Sequence, residues 1–166
     1  MTEMNDREIS LDRMRYVKNT ASSRLCYLAI LLNVLYFVSV YKTDVGSWYY
    51  QILIGASIVY NLLFMLMVFL ASEGVKNYQL QYTWLLYVLG GLQIVRIFIL
   101  PTQAHNALIS IGGESLKAMG DGQFIRVLIY LLASAACLLA AAAINQAKCA
   151  ALSGHLKTLE SAKEAA

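Results

Sequence analysis

An all-α integral membrane protein, folded as a compact antiparallel four-helix transmembrane bundle with both termini cytoplasmic, is the fold class the sequence predicts. Three observations carry it. The 166 residues are 59% hydrophobic, with a mean hydropathy of +0.58 and a single proline, which is high for a soluble domain. Four segments each approach or exceed the ~20 apolar residues that a helix needs to cross about 30 Å of hydrocarbon. Lysine and arginine collect in the segments that would lie on one side of those spans.

Residues 1–23 form a charged, basic segment in which Ile9, Leu11, Met14 and Tyr16 sit among mixed charges. This pattern reads as an amphipathic stretch resting on anionic headgroups, with docking of a cytoplasmic partner as the other reading. The spans follow at 24–41, 48–71, 80–100 and 123–147. Helix is the only workable state for each, because an isolated strand in lipid leaves its backbone groups unpaired and four strands are too few for a barrel. Three further spans follow the first, so it reads as a retained anchor and not a cleaved signal.

Loops KTDVGS and SEGVKNYQ are short enough to force consecutive helices to be antiparallel neighbours. The third connection, 101–122, is long and contains Gly112, Gly113, Gly120 and Gly122 beside the moderately apolar ALISIGG. It reads as an extracytoplasmic contact surface or pore cap, or else as a mobile connector. Residues 148–166 continue the fourth helix as a cytoplasmic tail, with Leu152, Leu156 and Leu159 on one stripe. That stripe has two candidate partners, the N-terminal segment and a helix of another protein.

Orientation follows from the excess of basic residues on the cytoplasmic side. Arg7, Arg13, Arg15, Lys18 and Arg24, then Lys76, then Lys148, Lys157 and Lys163 fall on one side, against Lys42 and Lys117 on the other. Tyr41, Trp48, Tyr49 and Tyr50 mark the outer interface, and Tyr78, Tyr82 and Trp84 the inner one. A multi-pass location in the plasma membrane is the expectation.

The chemistry-bearing residues are few. A net charge of +3 is far from the dense basic face that nucleic acids require. Cys26, Cys137 and Cys149 form no C-x-x-C pair, and His105 and His155 have no ligand partners close in sequence, so neither a metal nor another cofactor is expected. Glu114, Lys117, Asp121 and His105 share the outer loop without a catalytic spacing and read as solvated charges. No catalytic residue is assigned, and an enzyme is not expected.

Inside the spans, no Asp, Glu, Lys or His occurs, which argues against a proton-coupled carrier, whose cycle needs a titratable intramembrane group. Asn33, Asn61 and Gln93 lie well inside three different spans. They read as interhelical hydrogen-bonding groups, with a ring of amides lining a polar path as the alternative. At an offset of sixty residues the first span overlays the third, placing Asn33 on Gln93 and Tyr36 on Arg96, a faint internal repeat.

Ala133, Ala136, Ala140 and Ala143 share one face of the fourth span, and Gly90 and Gly91 offer a complementary small patch in the third. The alanine face is expected to be either the internal seam of the bundle or an oligomer interface. Arg96 lies five residues before Pro101, near enough to the outer surface for its side chain to snorkel. With Arg126 it brackets the outer loop, and the two are expected to clamp that loop by pairing with Asp44, Glu114 or Asp121.

A chain so poor in catalytic motifs, in contact with the lipid bilayer, reads as an accessory or scaffolding subunit of a larger membrane assembly, transport assemblies included. It would meet a membrane-protein partner or a second copy of itself and no nucleic acid. A homo-oligomeric channel or facilitative pore is the alternative, with amides and outer arginines setting selectivity.

Overall fold

A computed structural model describes residues 6–14, 16–43, 45–111 and 114–164. They form helices α1 (Asp6–Met14), α2 (Thr20–Tyr41), α3 (Trp48–Lys76), α4 (Leu80–Ile97) and α5 (Leu100–Asn106), strands β1 (Leu108–Ile111) and β2 (Glu114–Lys117), and a last helix α6 (Asp121–Glu164). Four stretches are long and apolar enough to cross a membrane: α2, α3, α4 continued through α5, and α6. Leu31, Val38, Leu62, Leu66, Val88 and Ile129 are among the large aliphatic side chains exposed around these helices. So broad an apolar surface needs an apolar environment.

Each of α2 and α4 packs on both α3 and α6, so the four helices close a square with α2 and α4 on its diagonal. Neighbours run antiparallel. The start of α2 meets the end of α3, where the Asn19 amide donates to the Lys76 carbonyl at 3.0 Å and the Ser23 and Ser72 hydroxyls lie 2.7 Å apart. The end of α2 meets the start of α6, where Gln123 Nε2 donates to the Ser39 carbonyl at 2.7 Å and to Thr43 Oγ1 at 2.9 Å.

The core has two apolar halves. One contains Cys26, Ala29, Phe64, Val68, Leu86 and Leu138; the other contains Tyr36, Val40, Ile97, Leu100, Met119 and Leu131. Small residues bring backbones together in the first half, as lipid-embedded helices require when apolar association has little driving force of its own. Gly90 is an example: a Cβ there would lie 3.0 Å from the Leu139 side chain and 3.6 Å from the Ala135 carbonyl oxygen. Gly74 is tighter still, since its Cβ would clash with one edge of the Tyr82 ring.

The boundaries shift where local bonding continues a helix past the apolar run. α2 begins at Thr20, before the expected Arg24, and α3 continues to Lys76. α4 stops at Ile97 and α5 restarts at Leu100 with Pro101 in its first turn, as a residue with no N–H allows. The Thr102 hydroxyl donates to the Ile97 carbonyl at 2.8 Å, satisfying an acceptor freed by the break.

The connection between the third and fourth spans is partly regular where an irregular loop was expected. It holds α5 and an antiparallel hairpin in which Leu108 faces Lys117 and Ile111 faces Glu114; Gly112 and Gly113 lie outside the described residues. The signal was the two-residue Gly-Gly between alternating segments, which favours a hairpin. Met119, just after the hairpin, is 0% exposed and closes that end of the bundle core.

α6 contains 44 residues, about 66 Å at 1.5 Å per residue, twice what the hydrocarbon requires. α1 packs against it, so the N-terminal segment and the last helix meet each other.

Gly74→Ala should destabilise the bundle by about 1–3 kcal/mol, the usual cost of overpacking, measured as denaturant unfolding in detergent micelles. Adding Tyr82→Ala should recover part of the loss. Equal stability of the wild type and Gly74→Ala would show that the α3–α4 approach is looser than described.

Candidate functional site

Between the two apolar halves lies a polar layer centred on Arg96. This residue is in the last turn of α4 and only 5% exposed. Its Nη1 donates to Asn33 Oδ1 at 2.9 Å and to Gln93 Oε1 at 3.4 Å, and its Nη2 to Ser57 Oγ at 3.2 Å. The guanidinium carbon is 4.2 Å from the ring centroid of Tyr36 and 4.8 Å from that of Tyr60. Its contacts thus come from α2 (Asn33, Tyr36), α3 (Ser57, Tyr60) and α4 itself (Gln93).

The layer continues outward from the charge. Asn33 Nδ2 donates to Asn61 Oδ1 at 3.0 Å, and Asn61 Nδ2 to the Ser57 carbonyl at 2.8 Å. Gln93 Nε2 donates to Asn33 Oδ1 at 3.2 Å and to Ser134 Oγ at 3.3 Å, and the Ser134 hydroxyl donates to the Ala29 carbonyl at 3.2 Å. All four helices of the square therefore contribute to one hydrogen-bonded network. The Tyr36 hydroxyl lies near the guanidinium without meeting hydrogen-bond geometry, and the Tyr60 hydroxyl is also buried without a partner.

The magnitudes explain why so many groups converge. An arginine at the middle of an isolated helix in lipid is penalised by about 3 to 17 kcal/mol, depending on how the cost is assessed. Hydrogen bonds to a charged group contribute about 1.5–3 kcal/mol each, and a desolvated cation over an aromatic face about 2 kcal/mol. Three such bonds and two such faces match the penalty in scale. Only arginine has the planar fork and two stackable faces that this geometry uses.

Depth follows from helix geometry. Asn33 is 14 residues past Asn19 and 10 before Thr43, hence about 21 Å and 15 Å along α2 at 1.5 Å per residue. Asn19 and Thr43 belong to polar clusters at the two ends, so the arginine layer lies near the middle of the span. This corrects the expectation of a snorkelling Arg96. The side chain turns inward because Asn33, Ser57 and two tyrosine faces are nearer than any headgroup.

Of the expected outer-leaflet clamp, only the Asp121 option falls on described side chains. Among the described residues no carboxylate is in ion-pair range of Arg96 or Arg126; Asp44 and the Glu114 side chain lie outside them. Asp121 instead pairs with Lys117 at 2.8 Å and lies 3.9 Å from His105 Nε2, while the His105 ring stacks on Phe124 at 4.3 Å. Arg126 is exposed and its Nε donates to the Gly122 carbonyl at 3.3 Å. At this end of the bundle the described carboxylate, Asp121, is engaged by a lysine and a histidine.

The small-residue faces also divide. Ala136, Ala140 and Ala143 point outward and Ala133 is half-buried, so this stripe is not the internal seam. The seam uses Leu131, Ser134, Ala135, Leu138, Ala141, Ala142 and Asn145. Of the glycine pair, Gly90 packs on α6, whereas a Cβ at Gly91 would meet nothing within 4 Å.

A second polar layer, unmarked by any contiguous motif, lies at the opposite end from the hairpin. Asn19 Nδ2 donates to Asn145 Oδ1 at 3.0 Å, Asn145 Nδ2 donates to Thr83 Oγ1 at 2.8 Å, and Lys148 Nζ donates to Asn19 Oδ1 at 2.9 Å. The available signal was register: Ser134, Leu138, Ala141 and Asn145 follow helical spacing on one face. Among the described residues, no three His, Cys, Asp or Glu side chains converge as a metal site would require.

Comparison with protein-family models, curated proteins and solved structures finds no match to this chain.

Removing one member of the arginine layer should leave its partners buried and unsatisfied, so Arg96→Met and Asn33→Leu should each destabilise more alone than their combination implies. A double-mutant cycle by denaturant unfolding should give a coupling of about 1–3 kcal/mol. Additivity within about 0.5 kcal/mol would show that the two residues do not share a network.

Proposed function

We propose that the protein is a non-enzymatic accessory or scaffolding subunit of a larger assembly in the plasma membrane, of the kind that accompanies transport machinery, with both termini cytoplasmic. The observation that carries this reading is where the bundle spends its polar groups. Arg96, Asn33, Asn61, Gln93 and Ser134 bond to one another on the bundle axis, which favours amides as interhelical ties over amides lining a path. The faces left for contact are external: the outward alanines of α6, the hairpin, and the far end of α6.

Orientation has structural support as well. Lys76, through its backbone carbonyl, and Lys148, through its Nζ, both meet Asn19 at one end of the bundle, the end that the charged N-terminal segment approaches. Exposed Tyr41, Trp48 and Tyr49 sit at the other end, as interfacial aromatics do. From Asn145, level with Asn19, α6 runs 19 more residues to Glu164, about 28 Å beyond the membrane. This projection is suited to meeting a soluble component.

A homo-oligomeric channel or facilitative pore is the second reading, favoured by the outward position of Ala136, Ala140 and Ala143. Its path would have to run between protomers, because Arg96 occupies the axis within one.

Impermeant maleimide applied to whole cells should label Lys42→Cys and leave Ser153→Cys unlabelled in a cysteine-free background; the reverse pattern would overturn the orientation. A photo-crosslinking residue at position 140 should capture one defined membrane protein, and the same residue at position 62 should not. Self-adducts at position 140 together with single-channel currents from the purified protein would select the pore instead.

A further inference from the structure

The charge of Arg96 is unbalanced on one side. Three of its five N–H groups are taken by the neutral acceptors Asn33, Gln93 and Ser57. The other two make no hydrogen bond of normal geometry among the described residues, although the Tyr36 hydroxyl lies close to the guanidinium. Directly beside the guanidinium, the square of helices is open: of its neighbouring pairs, α3 and α4 pack most sparsely. A cavity of about 280 Å³ lies between them, lined by Leu53, Ala56, Leu92 and Val95, with Ser57, Tyr60 and Arg96 as its polar members. Tyr60 lines the same cavity, and its hydroxyl is buried without a partner.

The direction of access restricts the occupant. Leu92 and Val95 at the mouth are 40% and 53% exposed on the outer, lipid-facing surface of α4, so the cavity opens sideways into hydrocarbon. Towards the bundle ends, the apolar layers containing Leu89 and Leu138 on one side and Met119 and Leu131 on the other are closed. A hydrated inorganic anion therefore has no polar route to Arg96. The volume is at the lower limit of small-molecule sites, which run from about 300 to 1,000 Å³, and a diacyl headgroup is held at the interface about 15 Å away. A neutral lipid would fit the walls and leave the charge uncompensated.

We propose that this cavity binds a single-chain anionic amphiphile taken laterally from the bilayer, a long-chain carboxylate. Its head accepts hydrogen bonds from the remaining Arg96 N–H groups and from the Tyr60 hydroxyl. Its chain leaves past Leu92 and Val95 to lie along the α3–α4 face. This site is independent of any partner at the alanine face of α6, so its loss leaves the subunit reading intact.

The test uses the full chain in nanodiscs of neutral phosphatidylcholine, with radiolabelled palmitate as the probe. Wild type should bind saturably at one palmitate per chain, hexadecanol should fail to compete, and phosphatidylglycerol should compete weakly. Arg96→Gln, which removes the charge and keeps an amide donor, should weaken binding at least about tenfold. Ala56→Trp should do the same by filling the cavity with Arg96 untouched, and it serves where Arg96→Gln does not fold. Absence of saturable binding to the wild type would overturn the proposal, as would full binding by Ala56→Trp. Hexadecanol competing equally would refute the anionic head, and phosphatidylglycerol displacing palmitate at equal concentration would refute the single-chain assignment.

Discussion

The burial of one permanent charge at the centre of a four-helix square is the constraint on which this structure depends. Arginine cannot shed its proton to escape a low-dielectric site, so the surrounding helices have to supply acceptors and aromatic faces. Asn33 and Tyr36 do so from α2, and Ser57 and Tyr60 from α3. Sliding α3 by one turn, about 5.4 Å, would withdraw both of its contributions together. Gln93 then passes the order on to α6 through Ser134. In lipid, where aliphatic packing hardly distinguishes one register from the next, such a layer selects the register.

Two further polar clusters repeat the logic at the ends. Asn19, Thr83 and Asn145 join α2, α4 and α6 at one end, with Ser23 and Ser72 joining α2 to α3. Gln123 joins α6 to the end of α2 at the other. Each cluster satisfies its amides inside the bundle, where an unpaired amide would be costly. Three polar layers along about 36 Å of α2 leave no helix free to shift without breaking hydrogen bonds at more than one depth.

Much of this fold was legible because hydrophobic length and short loops are properties of contiguous sequence. The four spans and their antiparallel order needed nothing else. What sequence hid was direction. Arg96 has the reach to snorkel, and whether it does depends on side chains about sixty and forty residues away, at Tyr36 and Ser57. The sixty-residue offset that aligned Asn33 with Gln93 and Tyr36 with Arg96 looked like a repeat; in the fold those same residues meet across the diagonal. On α6 alanine occupies both the inward and the outward stripe, so alanine spacing alone cannot choose between them. Ser134 and Asn145 mark the inward one. In LISIGGESLK two glycines separate two alternating segments, a local turn signal for the hairpin that loop length alone does not convey.

The arginine layer also bears on what kind of membrane protein this bundle makes. A cation held at the axis raises the barrier to other cations along it. Its bonds to Asn33, Gln93 and Ser57 hold three of its five donors, and an anion moving end to end would compete with those acceptors. Conduction through one chain would require dismantling the layer that sets helix register, so opening the axis and unfolding the bundle become closely related events. The lateral α3–α4 gap escapes this coupling, because a group reaching Arg96 from that side adds acceptors without taking any away. A bundle built this way keeps its centre rigid and presents its outer faces, and the one sideways opening to its charge, to whatever shares the bilayer with it.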